Sequence, residues 1–168
     1  MAGHTVSDLI TSLAVCLIAG YADLYFFTTS IPIWYDVLKK PDFVPPDLIV
    51  FYGIIVISFL LGFSLYAIRN AGLKHHEVQL SLYLFLFGLL LNVLWFFIFF
   101  GFRSLFFALI LMVMLLTVLA CTIYQTLRSA IVAVIFLVPY LIVMIVAAYA
   151  NLLIYLLNPN LPIWGTLF

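Results

Sequence analysis

Charge is what this sequence has least of. Six basic and six acidic residues occur among 168, or 7% of the chain, where a soluble domain carries roughly 25%. So few charges cannot cover a water-facing surface, and a soluble globular fold is excluded. Cysteine is scarce too: Cys16 and Cys121 are single thiols inside apolar runs, match no metal spacing, and read as small apolar packing residues. The apolar runs hold no histidine, no Cys-x-x-Cys pair and no carboxylates paired at ligand spacing. No nucleophile–base constellation and no metal set can be assembled from them. There is no basic run and the formal net charge is zero, which argues against a nucleic-acid partner.

What the chain has is hydrocarbon. Its residues are 68% apolar and its mean hydropathy is +1.37. A bilayer core needs about 20 apolar residues per helix, and five such spans use up nearly the whole length. The predicted helices cover about 8–28, 47–68, 78–100, 104–127 and 130–157, a single transmembrane domain over 1–157 with a short tail over 158–168 that includes Trp164. The expected fold is an all-α integral membrane protein, a five-helix transmembrane bundle. The first run, from Leu9, is too long for a signal sequence and lacks a basic leader, so it reads as a retained helix. Ser7-Asp8 is expected to cap it; Gly72 should stop the second helix, Ser104 cap the fourth, and Pro139 kink the fifth. Basic residues divide three and three between the two sides, so the positive-inside rule gives no orientation. No internal repeat is visible, which argues against a transporter built from two halves.

The longest interruption is WYDVLKKPDFVPP, residues 34–46. Prolines at 41, 45 and 46 fix φ and remove backbone donors, which predicts a stiff, mostly extended segment and not a helix. Lying between two spans, it should act as the lid of whatever the helices enclose. Polar side chains within the spans are expensive and each needs an account. Asp23 is either a cavity acid or an interfacial acid reaching water beside the lid. Asn92, Trp95 and Phe99 fall on one helical face, as do Tyr140, Val143, Ala147 and Asn151. If both faces point inward, two amides and an aromatic wall line one cavity; otherwise the amides are interhelical hydrogen bonds. Ser58 and Gly62 form a small-xxx-small pair suited to close helix packing. His75-His76-Glu77 reads as a solvated loop, because adjacent histidines do not share a helix face.

Four ordered blocks carry a family likeness: FTTSIPIWYDVLKKPDFVPP (27–46), NVLWFFIFFGFR (92–103), AL (108–109) and PYLIVMIVAAYAN (139–151). In these the chain resembles the TspO/MBR family, the translocator proteins or peripheral-type benzodiazepine receptors, called tryptophan-rich sensory proteins in bacteria. The resemblance implies a five-helix bundle whose first loop closes a pocket for tetrapyrroles, with sterols and synthetic drugs bound by some members. It implies that Trp34, Pro45 and Pro46 belong to the lid, and that Asn92, Trp95, Phe107, Ala147 and Asn151 face or support the pocket. Asp23 and Val143 complete the expected ligand-binding set.

The chain also departs from the family. Tryptophans usual in the second and fifth helices are Leu48, Ile54 and Val143 here; the glutamine four residues before the asparagine is Gly88, and a glycine-serine pair of the first helix is Leu24-Tyr25. Tyr155 is followed by no Lys or Arg, so the sterol pattern is incomplete.

The leading expectation is a protein that binds or transports a flat hydrophobic ligand, a tetrapyrrole (porphyrin or haem) before a sterol-like lipid. An enzyme that degrades bound porphyrin and a ligand-free scaffold are the alternatives. No cofactor is required beyond such a bound porphyrin or haem. Membrane lipid, a hydrophobic small molecule and a second copy of the chain in a homodimer are the expected partners. The family's location implies a bacterial envelope or a mitochondrial outer membrane.

Overall fold

In hydrocarbon a backbone N–H or C=O finds no water, so each apolar run must satisfy its own hydrogen bonds, and a helix does so within one segment. A computed structural model describes residues 2–163, with side chains from position 6 onward; Trp164 and the rest of the predicted tail lie outside the described residues. It contains α1 (Ala2–Ser30), α2 (Asp47–Asn70), α3 (His76–Phe96), α4 (Leu105–Ser129) and α5 (Ile131–Leu157). All five are long and apolar enough to cross a membrane, and no strand occurs among the described residues. The chain is a multi-pass integral membrane protein. Neighbouring helices run α1–α2–α5–α4–α3 and back to α1, a ring around a common interior.

Several helix ends differ from expectation. Helix α1 does not start at a Ser7-Asp8 cap but at Ala2, and Asp8 serves another purpose. Its carboxylate accepts from Arg69 Nη2 at 2.7 Å, while Arg69 Nη1 donates to Thr11 Oγ1 at 2.7 Å. The last turn of α2 is thereby fastened to the first third of α1. Helix α2 ends as glycine requires: Gly72 has φ +103°, a left-handed conformation that costs a side-chain-bearing residue far more. Helix α3 takes in His76 and Glu77, so only part of the expected polar loop is loop, and α1 takes in His4. Ser104 caps α4, its hydroxyl accepting from Phe107 N at 3.4 Å. Helix α5 runs unbroken through Pro139, whose missing N–H leaves one rung of the ladder unmade. Cys16 is buried as expected, whereas Cys121 faces outward.

Small residues set the α1–α2 distance. A Cβ at Gly20 would lie 1.9 Å from Ser58 Oγ, and one at Gly62 would lie 3.0 Å from the Leu13 backbone. At both crossings an added Cβ would force a neighbour to move.

The end of α3 is wound wider. Residues Phe97–Gly101 form a π-helical turn, in which Phe102 N donates to Phe97 O at 2.7 Å. Such turns redirect side chains and recur at functional sites. Here the turn buries both Phe99 and Phe100, and Arg103 then reverses the chain with φ +58°.

Candidate functional site

The ring of helices encloses a cavity of about 370 Å³, in the range that holds small ligands. Helices α1, α2, α3 and α5 and the lid supply its walls; α4 supplies none. Most of the lining is aliphatic or aromatic, and the polar side chains in it are few.

The aromatic wall comes from α3 and its π-helical turn. Trp95 and Phe99 lie 5.3 Å apart, and Phe99 and Phe100 4.6 Å apart, as ring centroids. The lid does not run extended throughout, as its prolines suggested. It begins with a 3₁₀ turn, Tyr35–Val37, and this turn drives Tyr35 inward against Phe100, ring centroids 5.3 Å apart. Burial, together with the carboxylates of Asp47 and Asp36, pushes the Tyr35 hydroxyl up to about 12, so it stays neutral at physiological pH. Lys40 lies over the outer face of this ring, with Nζ 3.9 Å from its centroid.

Two attachments hold the lid to α5. Asn158, just past the helix, treats the Lys39 peptide as a base-pair partner: Lys39 N donates to Asn158 Oδ1 at 3.1 Å, and Asn158 Nδ2 donates to Lys39 O at 3.0 Å. Phe43 stacks on Tyr149 at 5.5 Å. Opposite the lid end, α2 and α5 are tied by Ser64 Oγ donating to Ala133 O at 3.2 Å. Nearer the lid the same two helices leave a gap. Ile49 on α2 and Val143 and Val146 on α5 line the cavity yet are exposed, and a Cβ at Gly53 would meet nothing within 4 Å. The cavity therefore reaches the lipid side through this seam.

Its polar groups are deeply buried. Asn92 Nδ2 donates to Asp23 Oδ2 at 2.7 Å, and Tyr140 OH donates to Asn92 Oδ1 at 3.0 Å. Asp23 is 4% exposed, so the interfacial alternative is corrected: this is a cavity acid. Asn151 lies three turns beyond Tyr140 on α5, a rise of ~16 Å toward the lid. It is 1% exposed, and neither its Oδ1 nor its Nδ2 has a partner among the described residues. Asp23 Oδ1 and Trp95 Nε1 are likewise unpartnered.

The expected set thus divides. Asp23, Pro45, Asn92, Trp95, Val143, Ala147 and Asn151 all line the cavity. Trp34 does not; it is buried behind the wall, edge-on to Phe99 at 5.7 Å. Pro46 is the residue before α2, its carbonyl accepting from Ile49 N at 2.8 Å. Phe107 sits in the first turn of α4, outside the lining. Of the departures, Ile54 and Val143 line the cavity, while Gly88 faces Val118 on α4. Tyr35 and Asn158 escaped sequence reasoning. Tyr35 follows Trp34 directly, and only the 3₁₀ turn decides which of the two faces inward; Asn158 acts through a residue 119 positions away.

A TspO/MBR family profile matches residues 12–156. Among curated proteins, the tryptophan-rich protein TspO of Chlorobaculum tepidum is 31% identical over 99 residues, and that of Archaeoglobus fulgidus 31% over 100 residues. Each match takes in 59% of this chain and spans 63% of the relative's length.

Proposed function

The chain belongs to the TspO/MBR family, and from that premise we propose that it binds a flat hydrophobic ligand inside the membrane, a tetrapyrrole in the first instance. The observation that carries this reading is the cavity itself. It is aromatic on one side and aliphatic on the other, closed by a lid pinned at Lys39, and open to lipid between α2 and α5. A flat ligand would lie against Trp95 and Phe99 with its far edge in the seam. Binding or transport is favoured over breakdown, because the aliphatic, redox-inert Ile54 and Val143 stand in the lining where the family resemblance leads one to expect tryptophan.

The test is a spectroscopic titration of the purified protein with protoporphyrin IX, haem and a sterol, repeated with Gly53→Phe. A Cβ at Gly53 meets nothing within 4 Å, so a ring attached there should narrow the seam and weaken porphyrin binding, with the melting temperature checking that the variant folds. Equal porphyrin binding by both proteins would place the ligand elsewhere.

A further inference from the structure

Among the described residues, Asp23 is the one carboxylate in the cavity lining, and no lysine, arginine or histidine lines it. Neither ion pair found among the described residues, Lys40–Asp36 and Arg69–Asp8, involves it. A buried carboxylate is costly unless opposite charge or full hydrogen bonding compensates it. The protein supplies only half of that. Asn92 Nδ2 satisfies Oδ2 at 2.7 Å, and Tyr140 holds the far end of the same amide, which fixes the orientation of the carboxyl group. Oδ1 is buried and has no partner among the described residues. The rings of Tyr35, Trp95 and Phe99 line the same cavity, and aromatic faces attract cations and not anions.

We propose that this cavity accepts, besides a tetrapyrrole, apolar ligands that carry a protonated nitrogen at one edge, and that this N–H donates to Asp23 Oδ1. Among molecules of one shape the site would then select lipophilic amines over acids. The inference rests on the proposed reading of the cavity as a ligand site, and extends it to a second ligand class. An acidic edge would face Asp23 with no cation to offset the repulsion. A tetrapyrrole's acidic substituents would therefore point away from Asp23, toward the lid. Asn151, nearer the lid and also without a protein partner, can both donate and accept, so it adds a contact without choosing the sign of the charge.

Three tricyclic probes of one outline test this: 9-aminoacridine, a cation at neutral pH; neutral anthracene; and anthracene-9-carboxylate. Each is titrated by fluorescence against the full chain in phosphatidylcholine nanodiscs, with empty nanodiscs as the blank and displacement by protoporphyrin IX as the check of site. The wild type should prefer the amine over the carboxylate by about tenfold or more, the scale of one charge-assisted hydrogen bond. Asp23→Asn should remove that preference, read as the ratio of amine to carboxylate affinity within the variant. Equal wild-type binding of amine and carboxylate would overturn the inference, as would a preference that survives Asp23→Asn. In either case retained anthracene binding would leave the ligand-site reading standing. Failure of all three probes and of protoporphyrin IX to bind would remove both. The wild-type comparison needs no variant, so a poorly folding Asp23→Asn cannot shield the proposal.

Discussion

Replacing Asn158 by alanine should speed ligand exchange without much changing affinity. The Asn158 side chain makes three hydrogen bonds: one to Ile154 O within its own helix end, and two to the Lys39 peptide across the lid junction. Only the last two hold the lid. Each is exposed, so each contributes in the lower half of the roughly 0.5–1.5 kcal/mol typical of a protein hydrogen bond, or about 1–2 kcal/mol together. A loss of that size raises the ratio of open to closed lid by a factor of roughly 5–30. Asn158 does not line the cavity, so bound and free protein lose the same stabilisation of the closed state. Association and dissociation rates of protoporphyrin IX should therefore both rise by that factor in stopped-flow measurements, with Kd nearly constant. Asn158→Asp keeps the acceptor for Lys39 N–H and loses the donor to Lys39 O, so it should fall in between. Unchanged rates in both variants would refute the reasoning and assign ligand passage to the seam between α2 and α5.

Asn92→Leu strands Asp23 Oδ2 and the Tyr140 hydroxyl, and should lower stability in detergent by about 1–3 kcal/mol. Asn151→Leu removes an amide with no protein partner, so thermal unfolding should be unchanged or later while ligand affinity falls; earlier melting would mean the amide is structural. Gly20→Ala drives a Cβ into Ser58 and should destabilise by ~1–3 kcal/mol, recovered in Gly20→Ala/Ser58→Gly, whereas Gly53→Ala should be neutral or mildly stabilising in the same melt. Illuminated porphyrin should bleach little faster with the protein than in detergent alone, because Ile54 and Val143, which line the cavity, are redox-inert where the family resemblance leads one to expect tryptophan. Ile54→Trp/Val143→Trp should accelerate the loss of absorbance, and fast wild-type bleaching abolished by Trp95→Phe would transfer the chemistry to α3.

The parts of this molecule that could be read from sequence are those set by a local rule. Span number follows from hydrocarbon thickness, so five runs became five helices. Helical periodicity placed Asn92, Trp95 and Phe99 on one face, and Tyr140, Val143, Ala147 and Asn151 on another; all seven line the cavity. Where position depends on a partner distant in sequence, the same rules fell short. Ser7-Asp8 has the chemistry of a cap, yet Asp8 is claimed by Arg69, 61 residues away. Depth alone left Asp23 undecided between cavity and interface, because only the rotation of α1 against α3 brings Asn92 to it. The π-helical turn has no pattern of its own in a run of phenylalanines, although it decides which two rings face inward.

The polar groups of the cavity oppose stability, and that points to their purpose. Asp23 Oδ1, Trp95 Nε1 and the Asn151 amide are all buried without a partner in the protein, and each such group costs about 1–3 kcal/mol relative to an apolar replacement. Nothing in the packing demands them. Leucine at 151 or phenylalanine at 95 would fill similar space and leave fewer hydrogen bonds unmade. Asn92 stands apart, since both ends of its amide already have partners in the protein. The remaining groups gain partners only from something that is not the protein. A ligand able to donate to Asp23 and meet the Asn151 amide would relieve part of this cost on binding. Affinity and folding stability are then linked: the better a ligand satisfies these atoms, the more it should raise the melting temperature, beyond what its buried apolar area alone supplies.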